Sequence, residues 1–167
     1  MAYTTIDDPT LYFNIKLYTG TGSSNAVTGV NFLPAFTWIK SRTTYSDHIL
    51  TDVVRGVTKT IHSNSTAAQT TEAQDLKSFD SDGFTVGTND NVNKSSDNMV
   101  AWNWKEDVAA GFDILTYEGS GSAQTISHNL GVKPDWIIVK NIDSSSPPFN
   151  WRSYHSTLGA GVAMKLN

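Results

Sequence analysis

FNIKLYTGTG (residues 13–22) returns as FDILTYEGSG (residues 112–121). Phe13, Ile15, Tyr18, Gly20 and Gly22 correspond at one constant spacing to Phe112, Ile114, Tyr117, Gly119 and Gly121. After one extra residue, Pro34, Ile39 and Lys40 correspond to Pro134, Val139 and Lys140. The matches fall on alternate positions and on glycines, the arrangement of a half-buried strand that ends in a tight turn. The spacing approximates one domain length, so the chain reads as tandem homologous modules.

The rest of the chain shares this texture. Ser, Thr, Asn, Asp and Gly dominate its polar residues, with few of the long charged residues and alanines that helices favour. Phe13, Ile15 and Leu17 alternate with Asn14 and Lys16. AFTWIK (residues 35–40) is apolar on both faces, as a central strand is. HILTDVV (48–54) and VTKTIH (57–62) are further strand candidates. SFDSDGFTVG (78–87) reads as a hairpin turning at Asp82-Gly83. MVAWNWK (99–105) puts Val100, Trp102 and Trp104 on one face. One weak helical candidate lies at residues 66–79, TNDNVNKSSDN (88–98) is a polar loop, and SSSPPFN (144–150) is a stiff exposed loop.

Many short strands with regular turn signals predict an all-β fold, an antiparallel β-sandwich of the concanavalin or jelly-roll kind with tandem modules. The predicted organisation is an N-terminal arm over residues 1–11, a first sandwich module over 12–106 and the start of a second, homologous β-module over 107–167. The core of the first module is expected to hold Phe13, Ile15, Leu17, Ile39, Phe84, Val100 and Trp102. The arm, broken by Asp7-Asp8-Pro9, is expected to pack on a neighbouring chain or along the surface. The second copy has no counterpart of the Asp82-Gly83 hairpin or of the Trp102 strand. Either the polypeptide continues into a full second module, the preferred reading because GVAMKLN ends in mid-strand, or a neighbouring chain completes it and the protein is an obligate oligomer.

Composition narrows the functional classes. With a net charge of −4 and 17% charged residues, the chain lacks the basic patch that nucleic-acid phosphates require. No apolar run approaches the ~20 residues of a membrane helix, so no membrane insertion is expected. The opening MAYTTIDDPT shows no basic-then-apolar leader, and a soluble protein is expected. There is no cysteine, hence no disulfide and no thiolate chemistry.

The motifs that could carry chemistry are weak. Gly20-Thr21-Gly22 follows a strand, but the third glycine of a dinucleotide loop is missing and Gly119-Ser120-Gly121 repeats it; a β-turn explains both. Asp80-Ser81-Asp82-Gly83 resembles the start of a calcium loop without its bidentate Glu. His48, His62, His128 and His155 lack metal-ligand spacing. No G-x-S-x-G elbow is present, and Asp47, Asp52 and Glu118 form no evident sugar-hydrolysing pair. No catalytic, metal or cofactor site is therefore assigned. Of the five tryptophans, Trp38, Trp102, Trp104 and Trp136 are expected in the core. Trp151, after the Pro-Pro loop, is the candidate for exposure and for stacking on a glycan ring.

Several phrases together carry a family resemblance: AYTTIDDP, LYTGTGSSNAVTG, WIKSR, VRG, SNSTAA, SFDSDGFTVG and VAWNWK, followed by ISHNLGVKPDWIIVKN and NWRSYHSTLG. The pattern resembles modules of virion-associated, tail fibre-like proteins of marine bacteriophages and cyanophages, and it covers nearly the whole chain. What the resemblance implies is a non-enzymatic structural or adhesive component of a virion, assembled in the host cytoplasm. Its expected partners are other virion proteins and further copies of itself in a homo-oligomer. The alternatives are a carbohydrate-binding module that reads host surface polysaccharide, with Trp151 as its stacking residue, or a capsid decoration or head fibre protein.

Overall fold

The computed structural model describes residues 6–144, 146 and 149–167. Twelve strands run in chain order: β1 Phe13–Thr19, β2 Asn25–Thr28, β3 Phe36–Ser41, β4 Ile49–Asp52, β5 Lys59–Thr60, β6 Thr70–Thr71, β7 Leu76–Asp80, β8 Gly83–Val86, β9 Asn98–Trp104, β10 Trp136–Val139, β11 Arg152–His155 and β12 Met164–Lys165. One helical turn, α1 (Asp90–Asn93), precedes β9, and a 3-10 turn over Pro9–Leu11 precedes β1. All paired strands are antiparallel.

Two sheets make the sandwich. One has the order β1-β9-β3-β4 and the other β2-β8-β7. They share a single buried cluster, in which Ile39, Ile49, Met99 and Ala101 of the first sheet meet Val27, Leu76, Phe84 and Val86 of the second. Val30, Phe32 and Val92 fill the space between them from the connecting segments. Burial of such side chains stabilises by ~1.5–3 kcal/mol each, so this cluster dominates the fold. The expectation of an all-β antiparallel sandwich is met.

The facing of β1 and β9 differs from expectation. Ile39 and Phe84 lie in the sandwich core and Val100 is buried as expected, but on the outer face of its sheet with half-buried Trp102, while Phe13, Ile15 and Leu17 are exposed. Toward the second sheet β9 presents Met99, Ala101 and Asn103 instead. Packed sheets stand ~10 Å apart, and Phe84, Phe32 and Leu76 already fill much of that gap. Met99 and Ala101 fit what is left, whereas indoles at Trp102 and Trp104 would overfill it. Once β9 turns its tryptophans outward, cross-strand pairing brings Phe13, Ile15 and Leu17 of β1 with them.

The inner face of β1 is consequently polar, and two of its side chains are hydrogen-bonded to the connecting segments. The Asn14 amide donates to the Val30 carbonyl at 3.0 Å, and the Tyr18 hydroxyl to the Val92 carbonyl at 2.6 Å. Buried Asn103 donates to the carbonyls of Asn14 and Ala101, and accepts from the Thr37 hydroxyl.

Smaller corrections concern local structure. The helical candidate at residues 66–79 is instead β6 followed by the start of β7, because Leu76 is needed in the sandwich core. Helix α1 lies inside the segment read as a polar loop, capped by the Asn89 side chain. β2 gave no clear alternation in the sequence. The hairpin forms where expected, but Asp80 pairs with Gly83, so its loop is Ser81-Asp82. Pro147 and Pro148 of the expected stiff loop, and residues 1–5 of the arm, lie outside the described residues. Residues 7–11 are exposed, with Asp8 accepting from Thr10 at the 3-10 turn.

Candidate functional site

The outer face of the β1-β9-β3-β4 sheet is the most distinctive surface of the protein. Strand register aligns its side chains in three rows: Phe13, Trp104, Phe36 and Asp52; Ile15, Trp102, Trp38 and Leu50; Leu17, Val100 and Lys40. Ring centroids are 4.8 Å apart for Phe13 and Trp104, 5.2 Å for Phe36 and Trp104, and 6.0 Å for Trp38 and Trp102. These are ordinary aromatic contact distances.

The residues around the repeat's second copy cover one half of this face. Phe112 stacks on Trp104 at 6.1 Å. Trp151 and Ile142 join Leu50, Ile61, Phe36 and Trp38 in a second buried cluster. The Trp151 indole donates to the His62 carbonyl at 2.8 Å, and the Gln69 amide donates to the Ile142 carbonyl at 2.9 Å. The other half, over β1, stays open: Ile15 is 47% exposed and Leu17 57%.

Trp151 is therefore not an exposed stacking residue; at 6% exposure it is a core residue of the contact between the two copies. The expectation for Trp136 is reversed as well. Expected in a core, it is 60% exposed, with its indole bonded to the Ser153 hydroxyl. Trp38 and Trp102 are half-buried on the outer face, as is Trp104. The signal that could have reassigned Trp151 is its position in the repeat: β11 pairs with β10 much as β4 pairs with β3.

Polar groups near the face are held in structural roles. The Trp38 indole donates to His48 Nδ1 at 2.8 Å, and burial holds the His48 pKa below its ordinary value. Arg55 lies over Asp52 with Nε 2.6 Å from Oδ2, and its other nitrogens reach Gln69 and the carbonyls of Leu50 and Lys59. Glu106 and Asp113 share a hydrogen bond. Burial first, then that bond, raises the Glu106 pKa, while the backbone N–H of Asn129 holds Asp113 low.

The remaining sequence motifs resolve into turns. Gly22 adopts φ 70°, and the backbone N–H groups of Gly20, Thr21 and Gly22 are donated to Asp97, the Asn93 side chain and the Asn93 carbonyl. The donors a phosphate would need are thus engaged. Asp82 accepts from the backbone of Gly29 and Asn31, which lowers its pKa, and Asp80 accepts from Thr85. His62 contacts the His48 carbonyl, while His128 and His155 accept from backbone N–H groups two residues on. Asp47 bonds Asn64, Asp52 bonds Arg55, and Glu118 is exposed; the fold does not bring these three together. No group of three or more potential metal ligands occurs among the described residues. Among those residues, too, no helix is long and apolar enough to cross a membrane.

An antiparallel sandwich whose four-stranded sheet carries an aromatic outer face defines an all-β module. The chain belongs to the family described as domain of unknown function DUF7483, whose model matches residues 8–167 and so spans both copies of the repeat. No curated protein and no solved structure matches the chain.

Proposed function

We propose that this chain is a non-enzymatic structural module of a bacteriophage virion, a tail fibre or tail-associated appendage that contributes to assembly and host attachment. The observation that carries the reading is the amount of ordered strand surface left apolar: Phe13, Ile15 and Leu17 on the outer face, and Trp136, Ile137 and Ile138 on β10. Exposed apolar patches of this kind mark interaction surfaces. The phrases that resemble virion-associated modules supply the setting, and a homo-oligomer or a contact with other virion proteins is the expected partnership. Proteomics of purified particles, with antibody labelling seen by electron microscopy, tests it. Labelling of tails supports the reading, labelling of heads favours a decoration protein, and absence from particles overturns both.

A carbohydrate-binding module is the second reading, and the exposed indole of Trp136 favours it. A glycan array separates the two. Specific binding that is lost in Trp136→Ala supports the second, whereas turnover of a bound polysaccharide would reject both.

A further inference from the structure

The two copies of the repeat share sequence but not completeness of structure. Their turns are alike. Gly22 and Gly121 adopt φ 70° and 73°. Thr21 and Ser120 bond the carbonyls of Ser23 and Ser122 through their hydroxyls, and Asn25 and Gln124 reach back to the carbonyls of Thr19 and Glu118. Their hairpins also correspond. Phe36 pairs with Asp52 and Ile39 with Ile49 in the first copy, as Trp136 pairs with His155 and Val139 with Arg152 in the second.

What differs is the strand between. In the first copy β9 lies between β1 and β3, pairing with both. Residues 107–167 contain no counterpart of β9. β10 is accordingly an edge strand, and Trp136, Ile137 and Ile138 are 60%, 40% and 40% exposed. Residues 113–118, the counterpart of β1, form no strand, because in the first copy β1 pairs only with β9. The glycines report the same gap. A Cβ on Gly20 would collide with the Lys94 carbonyl, just ahead of β9, whereas nothing lies within 4 Å of one on Gly119.

We propose that the free edge of β10 is an acceptor site for one strand with the residue pattern of β9, carried by polypeptide other than residues 1–167 of the same chain. The chain's own β9 is already held between β1 and β3. The first copy specifies the register: Trp136 opposite the counterpart of Trp104, Ile138 opposite that of Trp102, and Val139 opposite that of Ala101. Antiparallel addition supplies main-chain hydrogen bonds to an edge that otherwise offers unpaired donors and acceptors beside three exposed apolar side chains. The strand it fits therefore alternates Met, Ala and Asn with Val, Trp and Trp, as Asn98–Trp104 does.

The test adds a synthetic peptide of residues 98–105 to the full chain and reads amide hydrogen exchange segment by segment. The expected result is saturable slowing of exchange, by tenfold or more, within Trp136–Val139. A peptide with Ala101→Pro, which breaks the strand, is expected to give none. Equal slowing by both peptides, slowing confined to β1, or no slowing would overturn the proposal. Protection of β10 that grows with protein concentration in the absence of peptide would assign the edge to a second copy of this chain, and would overturn it too.

Discussion

The indole N–H of Trp151 donates to the backbone carbonyl of His62 at 2.8 Å, joining residues from the two copies of the repeat. Trp151→Ala removes this bond and most of the second buried cluster, and is expected to destabilise the protein by about 3–5 kcal/mol in urea unfolding. Trp136→Ala, at an exposed indole, is expected to stay within about 0.5 kcal/mol. Equal effects of the two would contradict the assignment of one indole to the interior and the other to the surface.

Gly20 and Gly119 occupy equivalent places in the repeat but different surroundings. Gly20→Ala drives its methyl into the Lys94 backbone and is expected to cost more than about 3 kcal/mol. Gly119→Ala meets open space and is expected to change stability by less than about 1 kcal/mol. Thermal unfolding of both variants checks the comparison, and a matching loss at Gly119 would mean that its neighbourhood is filled.

Asp52 and Arg55 form an ion pair whose side chains are only 4% and 6% exposed. Removing one partner leaves the other charge buried, so Arg55→Ala is expected to lose about 3–5 kcal/mol. Replacing both, as Asp52→Leu with Arg55→Met, is expected to recover most of that loss. A double-mutant cycle in which the two single losses simply add would refute the pairing.

Asp75 is buried, with Oδ2 accepting from the Thr60 hydroxyl at 2.9 Å and Oδ1 without a partner. Burial raises its pKa from 3.8 to about 6. The folded state therefore holds this proton more tightly than the unfolded chain does. Its contribution is complete below pH 3.8 and is lost as pH rises through about 6. Wild-type stability is expected to fall by about 2 kcal/mol relative to Asp75→Asn across that window. A difference that stays flat over that range in parallel unfolding curves would disprove the assignment.

Features set by neighbours along the chain were legible in the sequence. Alternation marked β1 and β9, a run apolar on both faces marked β3, and Asp-Gly marked the β7–β8 hairpin. The repeated Gly-x-Gly marked two turns whose dihedral angles agree because each turn closes on its own side chains. The antiparallel sandwich follows from such signals, since short strands with tight turns leave few other ways to bury their apolar residues.

Which side of each strand faces the interior was decided only by the tertiary structure. β9 is apolar on both sides, and nothing local says that Met99 and Ala101, rather than Trp102 and Trp104, turn toward the second sheet. That choice depends on the volume left by Phe84, Phe32 and Leu76, which come from distant segments. The fate of Trp151 and Trp136 has the same origin. Both are tryptophans on or beside strands of the second copy. One is buried because the aromatic face of the first copy meets it, and the other is exposed because β10 has no neighbour on that edge among the described residues. Alternation along a strand is a local property, whereas burial belongs to whatever surface the rest of the chain brings against it.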